Sequence, residues 1–509
     1  MAPTLPLLSS PASLPRSQAC SPTPATSSMA FTTPPPFASS SSTSPRLLLF
    51  TTLFLSYLTA LFTSIIIYRL FFHPLRHIRS LFLAKITKLT SLYAARNGQK
   101  HLEQAALFEK YGNFVRVAPN EVFMCSVEGI RKIHVRDSGC RKLNAGVYDV
   151  IHSEGEYNLD SIMTREEHAP RRKVCHTWLA KVASFNGKPI DTSLFSLLIS
   201  FDHMGKVEFS HEFRSISRKG TQDATLSMFG EIGQMGELTW LLSIAQNVKL
   251  SKTAAEFDQL TMLMADRRAA AEDNNKGDIL QHFLDDMRSE KSIAFTNKNI
   301  LYSDAALVLT GATDTIGAVL AHLFYQLANH PHYQDLLHVQ FQKAYGKTIP
   351  DEFTNQDLSK ISLLDALINE TMRVDNLIAS NDPRQTPPEG ITVDGVHIPG
   401  GVAVRVPAHA LHRSEQFYAE PAQFRPERWL DDNKEYVKNA EAFIPFLVGP
   451  NNCVGKRMTM SVLRLVMAYT VYNYTWEKAP GEDWKRIRTE SKDNLILKAG
   501  PFEAVFLPR

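Results

Sequence analysis

The order of apolar and polar positions divides the chain into stretches of different character. Leu47 to Ile67 runs 21 residues without a charge. As a helix rising about 1.5 Å per residue it covers roughly 31 Å, close to the roughly 30 Å hydrocarbon core of a bilayer. A buried core helix is the alternative, but no charged stripe marks an outer face. A cleaved signal peptide would be shorter and start earlier. From about Lys100 onward helical patterns dominate. His101 to Tyr111 predicts a helix closed by Gly112. Phe114 to Ala118 alternates and predicts a strand, turned by Pro119-Asn120. Residues 190 to 290 read as mostly helical. Asn299 to Asn329 predicts one long helix, stopped at His330-Pro331 because proline cannot continue the hydrogen-bond ladder. Ile361 to Val374 predicts another helix, and Val454 to Tyr474 a late one. Short β segments are expected between Ile391 and Val406, around Asp394-Gly395 and Pro399-Gly400-Gly401. The expected fold is mainly α with a minor β part, as one large domain over 100–509. A transmembrane anchor at 47–67 and a basic linker at 68–99 precede it.

Composition adds a fourth stretch. Of the first 46 residues, 28 are Pro, Ser or Thr, and only Arg16 and Arg46 are charged. So little apolar surface cannot offset the entropy of ordering, which predicts disorder over 1–46; a transit peptide is the weaker reading. Beyond the apolar run come Arg69, Arg76, Arg79, Lys85, Lys88, Arg96 and Lys100, while the first acidic residue of the chain is Glu103. The positive-inside rule then puts the large C-terminal part on the cytosolic side of a single span. Over all 509 residues, 55 Lys and Arg balance 52 Asp and Glu, which gives no reason to expect a nucleic acid partner. The five cysteines, Cys20, Cys125, Cys140, Cys175 and Cys453, are odd in number and widely spaced. They suit a reducing compartment, without a disulfide framework or structural zinc site.

One cysteine lies in a setting that points to chemistry. Phe446-Leu447-Val448-Gly449-Pro450-Asn451-Asn452-Cys453-Val454-Gly455 precedes the last predicted helix. Gly449 and Gly455 allow a tight backbone near the sulfur, where a side chain would collide. Backbone N–H groups and the following helix N-terminus would stabilise a thiolate, and such a thiolate suits axial ligation of haem iron. A buried structural cysteine in a turn is the plainer alternative.

Phe446, Gly449, Cys453 and Gly455 resemble the haem-binding loop of cytochrome P450 enzymes, and the resemblance extends over roughly residues 68 to 509. Phe72-His73-Pro74-Leu75 and Phe424-Arg425-Pro426-Glu427-Arg428-Trp429 bring it nearest to the membrane-anchored fungal members. The resemblance implies the cytochrome P450 fold, a haem (heme b) cofactor and Cys453 as the iron ligand. Glu370 and Arg373 share a helical face, alone the pattern of a solvated surface pair; the resemblance implies that they are buried in a structural triad with Arg428. Gly311-Ala312-Thr313-Asp314-Thr315 resembles the family's oxygen-activation site, with a local helix distortion near Gly311. Thr315 would hydrogen-bond dioxygen there and Asp314 would relay protons. Without that context Thr315 is an ordinary back-bonded helix residue. Arg172, Arg384 and His412 match positions that contact the haem propionates.

Departures from the family pattern stand beside these matches. Asn451 occupies the place of a propionate-binding arginine, which predicts weaker haem retention or a shifted potential. Ile316 replaces a second hydroxyl residue, Pro170 enters the segment of Arg172, and no Pro-Gly-Pro hinge follows the anchor. The expected function is a haem-thiolate monooxygenase of the endoplasmic reticulum membrane. Its electrons would come from a separate NADPH-cytochrome P450 reductase, because no flavin or nicotinamide fingerprint is evident. Its substrate would be a lipophilic small molecule of secondary metabolism, such as a terpenoid, polyketide or indole alkaloid. A haem-thiolate isomerase or dehydratase, and a non-catalytic membrane haem protein, are the rivals.

Overall fold

Helix α1 (Pro45–Ile67) has the apolar composition of a bilayer span, and none of its described side chains is buried. The structure, a computed structural model, describes residues 45–96, 98–135, 138–142, 191–211, 213, 252–271, 278–346, 355–430, 435–494 and 496–509. The expected disordered segment therefore lies almost wholly outside the described residues. The chain divides into two units, Met1–Phe62 and Thr63–Arg509.

The larger unit alternates helices with short strands. Helix α2 (Lys100–Tyr111) leads into β1 (Phe114–Ala118), β2 (Glu121–Met124), α3 (Val127–His134) and β3 (Arg141–Lys142). Helices α4 (Thr192–Phe209), α5 (Lys252–Ala269), α6 (Ile279–Met287), α7 (Lys298–Asn329), α8 (His332–Tyr345) and α9 (Ser362–Val374) follow. Next come β4 (Arg384–Gln385), β5 (Ile391–Val393), β6 (Val396–Ile398), β7 (Ala403–Arg405) and the short α10 (Ala408–His412). Helix α11 (Lys456–Asn473), β8 (Tyr474–Lys478), β9 (Lys492–Asn494), β10 (Ile496–Lys498) and β11 (Ala504–Pro508) close the chain.

The long helix is the axis of the core. Asn297 caps it by accepting from the Asn299 N–H at 3.1 Å, and it stops where Pro331 follows His330. Apolar residues on nearly every face let it pack against α4, α5, α6, α9 and α11 together. It passes the length and composition test for a span, but most of it is buried inside the protein, as a core helix should be. Helix α4 crosses it closely at Gly317, where a Cβ would stand 2.8 Å from the Leu197 Cα. The helix runs without a break through Gly311.

The β part gathers distant segments. A five-stranded sheet has the order β1-β2-β7-β4-β3, with β2 and β7 parallel and the other pairs antiparallel. It carries a second apolar core, in which Val122, Met124, Ile130, Ile133, Val404 and Ile444 pack together. Between the two cores sits the expected triad. Glu370 accepts from Arg373 at 2.8 Å and from Arg428 at 3.0 Å, with all three side chains removed from water. Trp429 Nε1 and the Arg425 N–H add donors to the same carboxylate, at 2.9 Å and 2.8 Å.

Candidate active site

The cysteine loop is held by its own backbone. The Cys453 N–H donates to the Phe446 carbonyl at 2.8 Å and the Asn452 N–H to the Gly449 carbonyl at 3.1 Å. Gly449 has φ +76°, and a Cβ there would collide with the His134 carbonyl at the end of α3. Gly455 caps α11 with φ −77°, and a Cβ on it would lie 3.7 Å from the Cys453 Sγ, an ordinary contact. The expected collision beside the sulfur is thus corrected: the steric demand falls at Gly449, against a carbonyl of another element. Cys453 leaves its side chain accessible, while Met458 and Thr459 one turn on are buried. Lys456 Nζ stands 5.8 Å from the centroid of the Phe446 ring.

The loop and the long helix meet on one core. Phe446, Val454 and Met460 from the loop side pack on the same apolar cluster as Ala312 from α7 and Leu377 from the chain after α9. Among the described residues nothing lies within 4 Å of the place where a Gly311 Cβ would be. Thr315 Oγ1 donates back to the Gly311 carbonyl at 2.7 Å, the back-bonded arrangement open to any helical threonine. Burial raises the Asp314 carboxyl from 3.8 to about 7, with Lys498 of β10 pulling the other way. Strand β10 packs on α7 and is tied down by the Leu497 N–H, which donates to the Leu377 carbonyl at 2.7 Å.

The remaining expected residues separate. Arg384 is almost wholly buried in β4, directly across from Lys142 of β3. Arg172 lies outside the described residues. His412 is buried, and its ring is engaged by groups of the protein. Its Nε2 accepts from the Ile444 N–H at 3.0 Å, and its Nδ1 faces Asn376 Nδ2 at 3.4 Å. Burial first, then Arg373 and Arg413, push its pKa down to about 3. Two residues escape sequence reasoning altogether. Lys142 and His134 are both buried near Arg384, and no motif marks either; only the fold brings them to this place.

These residues fit a haem. An accessible cysteine stands at the mouth of a helix, no described residue crowds the Cβ position of Gly311, and buried Arg384 and Lys142 offer positive charge for carboxylates. Among the described residues no cluster of His, Cys, Asp and Glu could hold a metal by itself. The family model for cytochrome P450 matches residues 169–506. The chain belongs to the cytochrome P450 family. Among relatives of this cytochrome P450 is the monooxygenase phqL of Penicillium fellutanum, 28% identical over 482 residues, or 89% of this chain and 84% of that one. Tryprostatin B 6-hydroxylase of Neosartorya fischeri is 30% identical over 476 residues, covering 87% and 84%. A zebra fish cytochrome P450 solved with progesterone shares the fold, with a TM-score of 0.66 and 17% identity over 80% of this chain and 99% of that one. This cytochrome P450 is an oxidoreductase of the monooxygenase class.

Proposed function

We propose that this cytochrome P450 hydroxylates or otherwise oxidises a lipophilic small molecule of fungal secondary metabolism. The reading includes haem b as cofactor and electrons from an NADPH-cytochrome P450 reductase. Helix α1 serves as the single-pass anchor in the endoplasmic reticulum membrane, residues 68–99 as the basic linker, and residues 100–509 as the cytosolic catalytic domain. The observation that carries the reading is the cysteine loop, which opens α11 on the same core as the Asp314-Thr315 stretch of α7. The haem, when bound, supplies dioxygen activation and oxygen insertion.

The chain's own residues do the rest. Cys453 would hold the haem iron through its sulfur, and Phe446 would pack beside that sulfur and limit water. Arg384 offers a cation to the cofactor's carboxylates, and Arg172 is proposed to do the same. Asp314, raised to about 7 by burial, exchanges a proton near neutrality, as a relay must. Thr315 Oγ1 already has an acceptor in the Gly311 carbonyl, so its hydroxyl proton is oriented along the helix until a pocket acceptor turns it. An isomerase or dehydratase would use neither residue for proton delivery. NADPH consumption with reductase, measured across pools of lipophilic metabolites, tests the proposal. Substrate-dependent consumption with an oxygenated product supports it. Conversion without NADPH would mark an isomerase or dehydratase, and no turnover on any pool a non-catalytic haem protein.

A further inference from the structure

Helix α3 ends on a residue that its amphipathic pattern does not call for. Ser126 caps the helix by accepting from the Gly129 N–H at 3.0 Å, and Val127, Ile130 and Ile133 form its buried face. His134 continues that face and is 3% exposed. Neither ring nitrogen has a hydrogen-bond partner among the described residues. A buried imidazole without partners loses its hydration and gains nothing for it. Its surroundings are specific. Its carbonyl presses on Gly449 of the cysteine loop, two residues from Asn451. Arg384 is the charged group that acts on it, and Lys142 lies across the strand pair from Arg384. Three buried side chains able to donate thus lie near one another, and His134 abuts, through its backbone carbonyl, the loop that carries Asn451.

We propose that His134 is a haem-binding residue, donating a ring N–H to a propionate and supplying from α3 the contact that Asn451 does not make. The proposal rests on the haem reading above. Burial and Arg384 hold the imidazole neutral, at a pKa of about 3, so one nitrogen carries a proton to donate and no second buried cation is created beside Arg384.

The test uses the full-length chain loaded with haem and follows haem transfer to apomyoglobin. His134→Phe is expected to accelerate transfer about tenfold or more, the loss of one hydrogen bond to a charged group. His134→Gln, which keeps an N–H donor, should recover most of the retention. Asn451→Arg should slow transfer far more in the His134→Phe background than in the parent. Reconstitution with haem dimethyl ester then separates binding from packing. With both propionates esterified only a weaker, uncharged acceptor is left, so the difference between parent and His134→Phe should shrink several-fold. A difference undiminished with the ester, or equal rates with ordinary haem, overturns the assignment. A parent chain that takes up no haem would fail the functional reading instead.

Discussion

Arg428 Nε donates to Glu370 Oε1 at 3.0 Å with both side chains fully buried, although 58 positions separate them in the chain. Arg373 meets the same carboxylate and also donates to the His412 carbonyl at 2.8 Å. Breaking a buried network by removing one member typically costs about 3–5 kcal/mol, because a charge stays behind without its partner. Glu370→Ala therefore strands two guanidinium groups. Denaturant titration should show a loss of that order together with a sharply lower haem content. A variant of unchanged midpoint would remove the triad from the account of stability.

Cys453→Ser leaves the loop backbone bonds in place, since they run between N–H and carbonyl groups. The red-shifted Soret band of the reduced carbon monoxide complex should vanish in this variant. Persistence of the band would reject Cys453 as the ligand.

Thr315→Ala removes a hydroxyl from α7 without adding charge. General acid–base contributions are typically about 10²–10⁴-fold. NADPH should still be consumed while product falls and hydrogen peroxide rises. Ile316 cannot substitute for the lost hydroxyl, and Thr313, two positions back, faces another side of the helix. An unchanged ratio of product to NADPH would leave Thr315 only its bond to Gly311.

The raised Asp314 pKa sets a pH dependence. Below about 7 the carboxyl holds a proton to give; above it the group is ionised. The product-to-NADPH ratio should fall as pH rises through about 7, and Asp314→Asn should flatten that profile. The same shift acts on stability. Between 3.8 and about 7 the folded chain keeps a proton that the unfolded chain releases, so the contribution declines as pH rises and levels off above. Unfolding midpoints of Asp314→Asn against the parent across that window check the sign.

Protease added to intact microsomes should digest everything beyond α1, because the basic residues follow the apolar run and no acid precedes Glu103. Full protection of residues 100–509 would reverse the topology.

Much of this architecture is legible in the sequence. Most of Lys298–Asn329 is readable because His330-Pro331 stops a long, mostly apolar stretch. Phe114–Ala118 is readable from alternation, and the turns at Gly395 and Gly401 announce the strands around them. The triad is readable only through family resemblance, since Glu370 and Arg373 look like any surface pair on a helix. The partners of His412 are not legible, because a histidine in an apolar stretch looks the same whether it faces a cofactor or the Ile444 N–H. His134 and Lys142 stay hidden for a related reason. Their meaning lies in burial and in neighbours from β4 and the cysteine loop, neither of which is written in local periodicity.

The sheet that seats Arg384 has a consequence for biosynthesis. Strand β7 joins β2, from residues 121–124, to β4 at residues 384–385, and β3 from residues 141–142 is added at the edge. Lys142 and Arg384 become neighbours only after that pairing, and Cys453 emerges from the ribosome later than either. Closing loops of such length is slow and precedes any reward from the contacts they bring. The main apolar core cannot close any earlier, because Met458, Val462, Leu463 and Trp476, all beyond Cys453, belong to it. The side chains that would hold an iron porphyrin and the core that surrounds them therefore become available together, late in synthesis.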